Sequence, residues 1–159
     1  MAENTKDVAR RPYAAGRATR AELITTAERL FGERGFDAVS LREISAAAGT
    51  RNTAAAQYYF GNKEDLVRVV FEHRAEVLNA RRTELLDRSD TWADGVRGTL
   101  DALIRPLAEQ IGTSHYVSFL ARLQADRIRD REVVQLAADT GASFRRGRDE
   151  LRRRLPELS

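Results

Sequence analysis

The sequence predicts an all-α fold, a three-helix N-terminal unit followed by a larger helical bundle, on three observations. Apolar residues recur at a 3.6-residue period in one segment after another. Helix-start signals precede several of those segments: Thr19 and Glu22, and Ser40 and Glu43, have the capping-box spacing, and Asn62 stands before Asp65. No stretch alternates apolar and polar residues as a half-buried strand does, and there is no internal repeat.

Taken in order, residues 1–17 read as a flexible basic arm carrying Arg10, Arg11 and Arg17, with Arg20 just beyond. Such an arm can lie along phosphates or enter a minor groove; it reads equally as a solubilising tail. The first helix opens at Thr19, places Leu23, Ile24, Ala27, Leu30 and Phe31 on one face and stops at Gly35. Ser40 starts the second helix, where Leu41, Ile44 and Ala48 face one core and Gly49 supplies the left-handed residue that ends it. After the polar turn Thr50 to Thr53, in which Asn52 or Thr53 can act as cap, a third helix runs from about Thr53 to Phe60. Gly61 ends it, closing a unit that spans residues 18–62.

Two short helices across a tight turn are the layout of a helix-turn-helix, and the side chains suit contact with duplex DNA. The third helix opens on Ala54, Ala55 and Ala56, so its first turn is smooth enough to approach base edges, and alanine can touch a thymine methyl. Gln57 and Asn52 each offer the donor-acceptor pair that matches adenine, and Arg51 can reach guanine or a phosphate. Thr53 lies in the same stretch. Lys63 stands at the start of the next helix, where backbone N–H groups and an ammonium can share one phosphate. Ser40, Tyr58 and Tyr59 complete the expected phosphate-facing set.

The segment Leu23 to Leu66 resembles the N-terminal domain of the TetR family of bacterial transcriptional regulators. The resemblance rests on Ile24, Ala27, Leu30-Phe31, Glu33, Gly35-Phe36, Ser40-Leu41-Arg42-Glu43-Ile44, Ala48-Gly49, Tyr58, Phe60, Lys63-Glu64 and Leu66. It has departures. Gly49 to Phe60 is one residue longer than the common spacing, Gln57 stands where a phosphate-contacting tyrosine is frequent, and Tyr59 where histidine is frequent. The Thr-Arg-Asn-Thr turn and the Gln-Tyr-Tyr-Phe-Gly ending are similar to a subgroup with an Arg-Asn turn. The resemblance implies a homodimeric DNA-binding regulator, a ligand-responsive repressor acting on a palindromic operator. It also implies that residues 63–159 form a helical domain for effector binding and dimerisation.

That second part is helical in its own right. A connecting helix runs from about Lys63 to Arg82, with Leu66, Val69, Val70, His73, Val77 and Leu78 on one stripe. Asp90 caps the next helix, which carries Trp92, Val96, Leu100, Leu103, Ile104, Leu107 and Ile111, with a kink expected at Pro106. Gly112-Thr113-Ser114 breaks it. Another helix spans about Ser114 to Asp126. A long one follows Asp130, with Val133, Val134, Ala137, Phe144, Leu151 and Leu155 apolar, and Pro156 ends it. Trp92, Leu103, Ile104, His115, Phe119, Leu123 and Phe144 are candidates to line an effector cavity, although apolar stripes at helical spacing are usually just core. Against the resembled family the chain looks short at its C-terminus by a helical pair.

Composition bounds the function. Among 159 residues there is no cysteine, which excludes disulfides and thiolate metal sites and fits a reducing cytoplasm. The first residues are charged and no apolar run reaches membrane-spanning length, so no leader and no membrane partner are expected. Net charge is only +3, yet the basic residues cluster. The second cluster, Arg145 to Arg154 with Asp149 and Glu150 interleaved, reads as the solvated face of a helix. The two histidines are far apart and HExxH, G-x-S-x-G and phosphate-loop patterns are absent, so no enzyme, metal or cofactor is expected. The partners expected are double-stranded DNA, an unknown small-molecule effector and a second copy of the chain. The alternative is a helical interaction module, or a regulator fragment without stable DNA binding.

Overall fold

Helical periodicity and caps organise seven helices among the described residues: α1 (Thr5–Arg34), α2 (Leu41–Ala47), α3 (Ala55–Phe60), α4 (Lys63–Ser89), α5 (Gly95–Ala108), α6 (Tyr116–Ala125) and α7 (Ala142–Arg154). The structure, a computed structural model, describes residues 5–89, 95–125 and 141–155. Among them there is no strand; one isolated bridge pairs Ile111 with Ser114 in the turn before α6.

The helix boundaries follow local chemistry. At α2 the Ser40 hydroxyl accepts from the Glu43 N–H while the Glu43 carboxylate accepts from the Ser40 N–H, a complete capping box. Gly49 (φ 68°) and Gly61 (φ 78°) supply the left-handed residues that end α2 and α3. At the start of α4, Asn62 Oδ1 accepts from the Asp65 N–H at 2.7 Å.

Several expected boundaries move. Thr19 is not a cap: its hydroxyl bonds the Ala15 carbonyl at 3.0 Å, one turn back inside α1. Ala15, Arg17 and Ala18 are good helix formers, so the arm expected at residues 1–17 has helical backbone from Thr5 onward. The connecting helix continues past Arg82 to Ser89, since nothing between them breaks it. The single long helix expected after Asp130 does not reach back from Leu155: α7 starts after Gly141, a buried residue at φ −122°, ψ 76°. Val133, Val134 and Ala137 lie outside the described residues, as do Asp90 and Trp92. Pro106 sits inside α5, buried, and the helix ends at Ala108, just short of the expected Ile111.

The core joins the N-terminal unit to the bundle. Leu23, Ala27, Phe31, Val39, Ile44, Ala56, Leu66 and Val70 are buried in one cluster that continues into Phe71, Tyr116, Phe119 and Leu123. Phe119 on α6 is the hinge of that continuity, its ring centroid 6.3 Å from Phe31 on α1 and 5.3 Å from Phe71 on α4. Gly32 permits this approach. A Cβ there would lie 3.0 Å from the Phe119 nitrogen and 3.3 Å from the His115 carbonyl oxygen, so α1 and α6 meet backbone to backbone. Glu28, one turn earlier on α1, is buried and accepts from Arg74 on α4 and from the His115 N–H ahead of α6. α5 and α7 pack on the distal half of α4 and on each other.

Candidate nucleic-acid interface

The α2–turn–α3 segment is fixed by buried polar contacts. Ser45 on α2 is fully buried; its hydroxyl donates to the Leu41 carbonyl and accepts from the Ala56 N–H of α3, both at 2.9 Å. That one side chain sets how α3 crosses α2, and it satisfies an N–H that would otherwise be orphaned at a helix start. The Thr50 hydroxyl lies 2.8 Å from the carbonyl oxygens of both Ser45 and Asn52. Asn52 Oδ1 accepts from the Ala54 N–H at 2.9 Å. Asn52, and not Thr53, is therefore the turn-forming residue, and α3 itself begins at Ala55 after an Ala54 with no side-chain cap.

This frame divides α3 cleanly. Ala55, Ala56 and Phe60 are buried, whereas Arg51, Asn52, Thr53 and Ala54, in a run just before the helix, and Gln57 within it are exposed. Tyr58 is 81% exposed, a large aromatic side chain left standing in solvent beside them. Tyr59 is half-buried and edges onto Tyr58, ring centroids 5.3 Å apart, with its hydroxyl toward Gly16 of α1. Arg20 of α1 stacks over Phe60 at 5.3 Å, pinning the far end of α3.

Two of the expected phosphate contacts are already occupied within the protein. The Ser40 N–H and hydroxyl both engage Glu43, and Arg34 pairs with Glu43 at 3.0 Å. The Ser40 N–H foremost, then its hydroxyl and the Arg34 guanidinium, hold the Glu43 carboxyl down at about 2. Lys63 donates to the Phe36 carbonyl at 3.0 Å and lies 4.3 Å above the Phe36 ring. Its ammonium anchors the α1–α2 connection as well as standing at the start of α4.

Ser45, Thr50 and Glu28 escaped the sequence reading. A small polar residue among the apolar positions of α2 is the only trace Ser45 leaves in the sequence, and the pairing of Glu28 with Arg74 spans two helices.

A cavity of about 220 Å³ lies between α4, α5, α6 and α7, lined by Ala75, Leu78, Asn79, Arg82, Leu103, Leu107, Tyr116, Leu120, Gly141 and Phe144. Of the side chains expected to line an effector cavity, Leu103 and Phe144 lie on the wall of this one. Phe119 and Leu123 belong to the continuous core. Ile104 is 62% exposed on the outer face of α5. His115 is exposed, and its backbone N–H is spent on Glu28. Trp92 lies outside the described residues. The expected residues scatter because α5 and α6 each bury only part of their apolar surface. His73, placed on the apolar stripe of α4 by periodicity, is exposed as well.

Residues 23–70 match the family of bacterial regulatory proteins, tetR family. The chain is 51% identical over 51 residues to the HTH-type transcriptional dual regulator CecR of Shigella flexneri, covering 32% of this chain and 22% of that protein. It is 33% identical over 98 residues to the HTH-type transcriptional repressor KstR2 of Rhodococcus jostii (strain RHA1), covering 60% of this chain and 45% of that one. The match thus spans less than half the length of either relative. Among solved structures, a protein described as a TetR-family transcriptional regulator from Mesorhizobium loti superposes with a TM-score of 0.66 at 17% identity, over 90% of this chain and 70% of that one. A gamma-butyrolactone receptor (ArpA like protein) superposes with a TM-score of 0.54 at 21% identity, over 91% and 87%. Both share the arrangement of an N-terminal helix-turn-helix followed by a helical domain.

Proposed function

We propose that this chain, whose residues 23–70 match the tetR family of bacterial regulatory proteins, works as a transcriptional regulator that reads duplex DNA through α3. The observation that carries the reading is the exposed, contiguous row Arg51 to Ala54 with Gln57, set on a helix whose opposite face is buried. Such a row has the length of one major-groove reading head, and its side chains match base edges and thymine methyls. Tyr58, Tyr59, Lys63 and the start of α2 at Ser40 flank it on the side where phosphates run. Since Asn52 Oδ1 is engaged by the turn, Gln57 is the stronger adenine reader and Asn52 presents chiefly its Nδ2 donor.

One head offers few base contacts. Two heads related by a two-fold axis would engage a palindromic site with half-sites about 34 Å apart, which favours a homodimer. A ligand in the bundle would act as an effector by its differential affinity for arrangements that do and do not match that spacing; loss of DNA on binding would make the chain a repressor of the ligand-released kind.

The test is a titration of the full chain against random duplex and against sites selected from a random pool, at several salt concentrations. Gln57→Ala is expected to cost about 1–3 kcal/mol on the selected site and to relax choice at one base pair, with random-duplex affinity unchanged. Equal loss on both would remove Gln57 as a base reader. Absence of salt-dependent duplex binding would overturn the reading and leave a helical interaction module.

A further inference from the structure

Arg82 is a charged side chain without a charged partner. It is 6% exposed, on the inward face of α4. One terminal nitrogen, Nη1, donates to Asn79 Oδ1 at 3.3 Å and to Ser143 Oγ at 3.2 Å. The Ser143 hydroxyl in turn donates to Asn79 Oδ1 at 2.6 Å, which locks the two acceptors together. The guanidinium lies 5.4 Å from the centroid of the Phe144 ring. Nε is buried with no hydrogen-bond partner. No carboxylate pairs with Arg82 among the described residues, although every other guanidinium that packs α4 onto a neighbouring helix does have one: Arg74 has Glu28, Arg81 has Glu109 and Arg146 has Asp87.

A buried, unpaired donor is costly to keep, and a group of that kind in a native protein calls for an explanation. Burial pushes the guanidinium below its ordinary value, yet arginine stays protonated in proteins. Folding therefore leaves a positive charge, with no carboxylate beside it among the described residues, at the wall of the cavity between α4, α5, α6 and α7. The rest of the wall is mostly apolar, with Leu78, Leu103, Leu107 and Leu120, and also carries the Asn79 amide and Tyr116, whose phenol burial and the nearby Glu28 carboxylate push up to about 12, so that it keeps its proton.

We infer that this cavity binds a small organic acid, its carboxylate held by the charge of the Arg82 guanidinium and its apolar body lying among the leucines. The volume of about 220 Å³ falls below the roughly 300–1,000 Å³ of pockets for drug-sized ligands, so the acid is a compact one. Asn79 and Ser143 are positioning residues that hold the guanidinium through Nη1. This site gives the effector of the proposed regulator a chemical class, but its occupancy does not depend on DNA.

The experiment uses the full chain without DNA. Straight-chain carboxylates from butanoate to decanoate, and phenylacetate, are titrated by calorimetry beside the alcohols of matching size. At least one acid is expected to bind roughly tenfold to a hundredfold tighter than its alcohol, the range of one charge-assisted hydrogen bond. Arg82→Met, which keeps the side-chain volume, is expected to abolish that preference while leaving alcohol binding within about twofold. Because it removes a buried unpaired charge, the variant is also expected to melt no lower than the parent, which guards against misfolding as the cause. Acids and alcohols binding alike, no acid binding at all, or a preference that survives Arg82→Met would each overturn the inference. The same titration repeated with bound duplex separates the two readings: acid binding without duplex binding sinks the regulator and keeps the site, and the reverse sinks the site alone.

Discussion

Glu28 and Arg74 form a two-point ion pair between α1 and α4, with Nε and Nη2 of the arginine 2.6 and 3.0 Å from the two carboxylate oxygens. The glutamate side chain is 2% exposed and the arginine 17%. The same carboxylate takes the His115 N–H at 3.0 Å, so one residue of the N-terminal unit holds two elements of the bundle. Removing one partner strands the other charge. Arg74→Met is expected to cost about 3–5 kcal/mol in urea unfolding, and the double variant with Glu28→Met to recover much of it. A cost below about 1 kcal/mol would place the pair with ordinary surface bridges.

Ser45→Ala removes the acceptor for the buried Ala56 N–H. The expected loss is about 1–3 kcal/mol, with faster hydrogen exchange at Ala56 and weaker binding to selected and random duplex alike, since α3 loses its fixed crossing angle. Unchanged exchange at Ala56 would show that another group satisfies it.

Lys63→Ala tests a side chain with two tasks. Loss of the bond to the Phe36 carbonyl and of the contact with its ring is expected to lower stability by about 1 kcal/mol. If the ammonium also meets a phosphate, the salt dependence of duplex binding flattens by about one unit. A stability loss with an unchanged salt slope would assign Lys63 wholly to the fold.

The Glu43 carboxyl is held at about 2, against an ordinary 4.5. A carboxyl depressed on folding stabilises the native state at pH above its unfolded value, and that contribution is lost as pH falls from 4.5 through 2. Glu43→Gln keeps an oxygen for the Ser40 N–H but does not titrate. The melting temperatures of parent and variant are therefore expected to converge between about pH 5 and pH 2. A gap constant across that window would remove Glu43 as its source.

The sequence made the N-terminal unit legible because its signals are local. The Ser40–Glu43 box, the left-handed Gly49 and Gly61 and the Asn62 cap are each written within four residues, and all are realised. Thr19 and Glu22 carry the same four-residue signal and are overruled, since helix-favouring residues upstream extend α1. The cavity was harder to read because its chemistry is tertiary. Arg82 looked like the last residue of a helix among many arginines, and its burial depends on α7 arriving from 61 positions away. Periodicity identified Ile104, Phe119 and Leu123 as apolar but could not say which would face a void, which a neighbour and which the solvent.

Gly32 gives α1 the behaviour of a lever. It meets α6 backbone to backbone at Gly32, against Phe119 and His115, and reaches Tyr59 of α3 at Gly16. Those points are sixteen residues apart along one unbroken helix, about 24 Å at 1.5 Å per residue. A tilt of only about 5° at the fulcrum would move the far contact by about 2 Å over that length. Two ångströms are enough to lengthen a hydrogen bond to a base edge past use. With no Cβ at Gly32 to cushion the contact, the displacement would pass to the reading helix without slack.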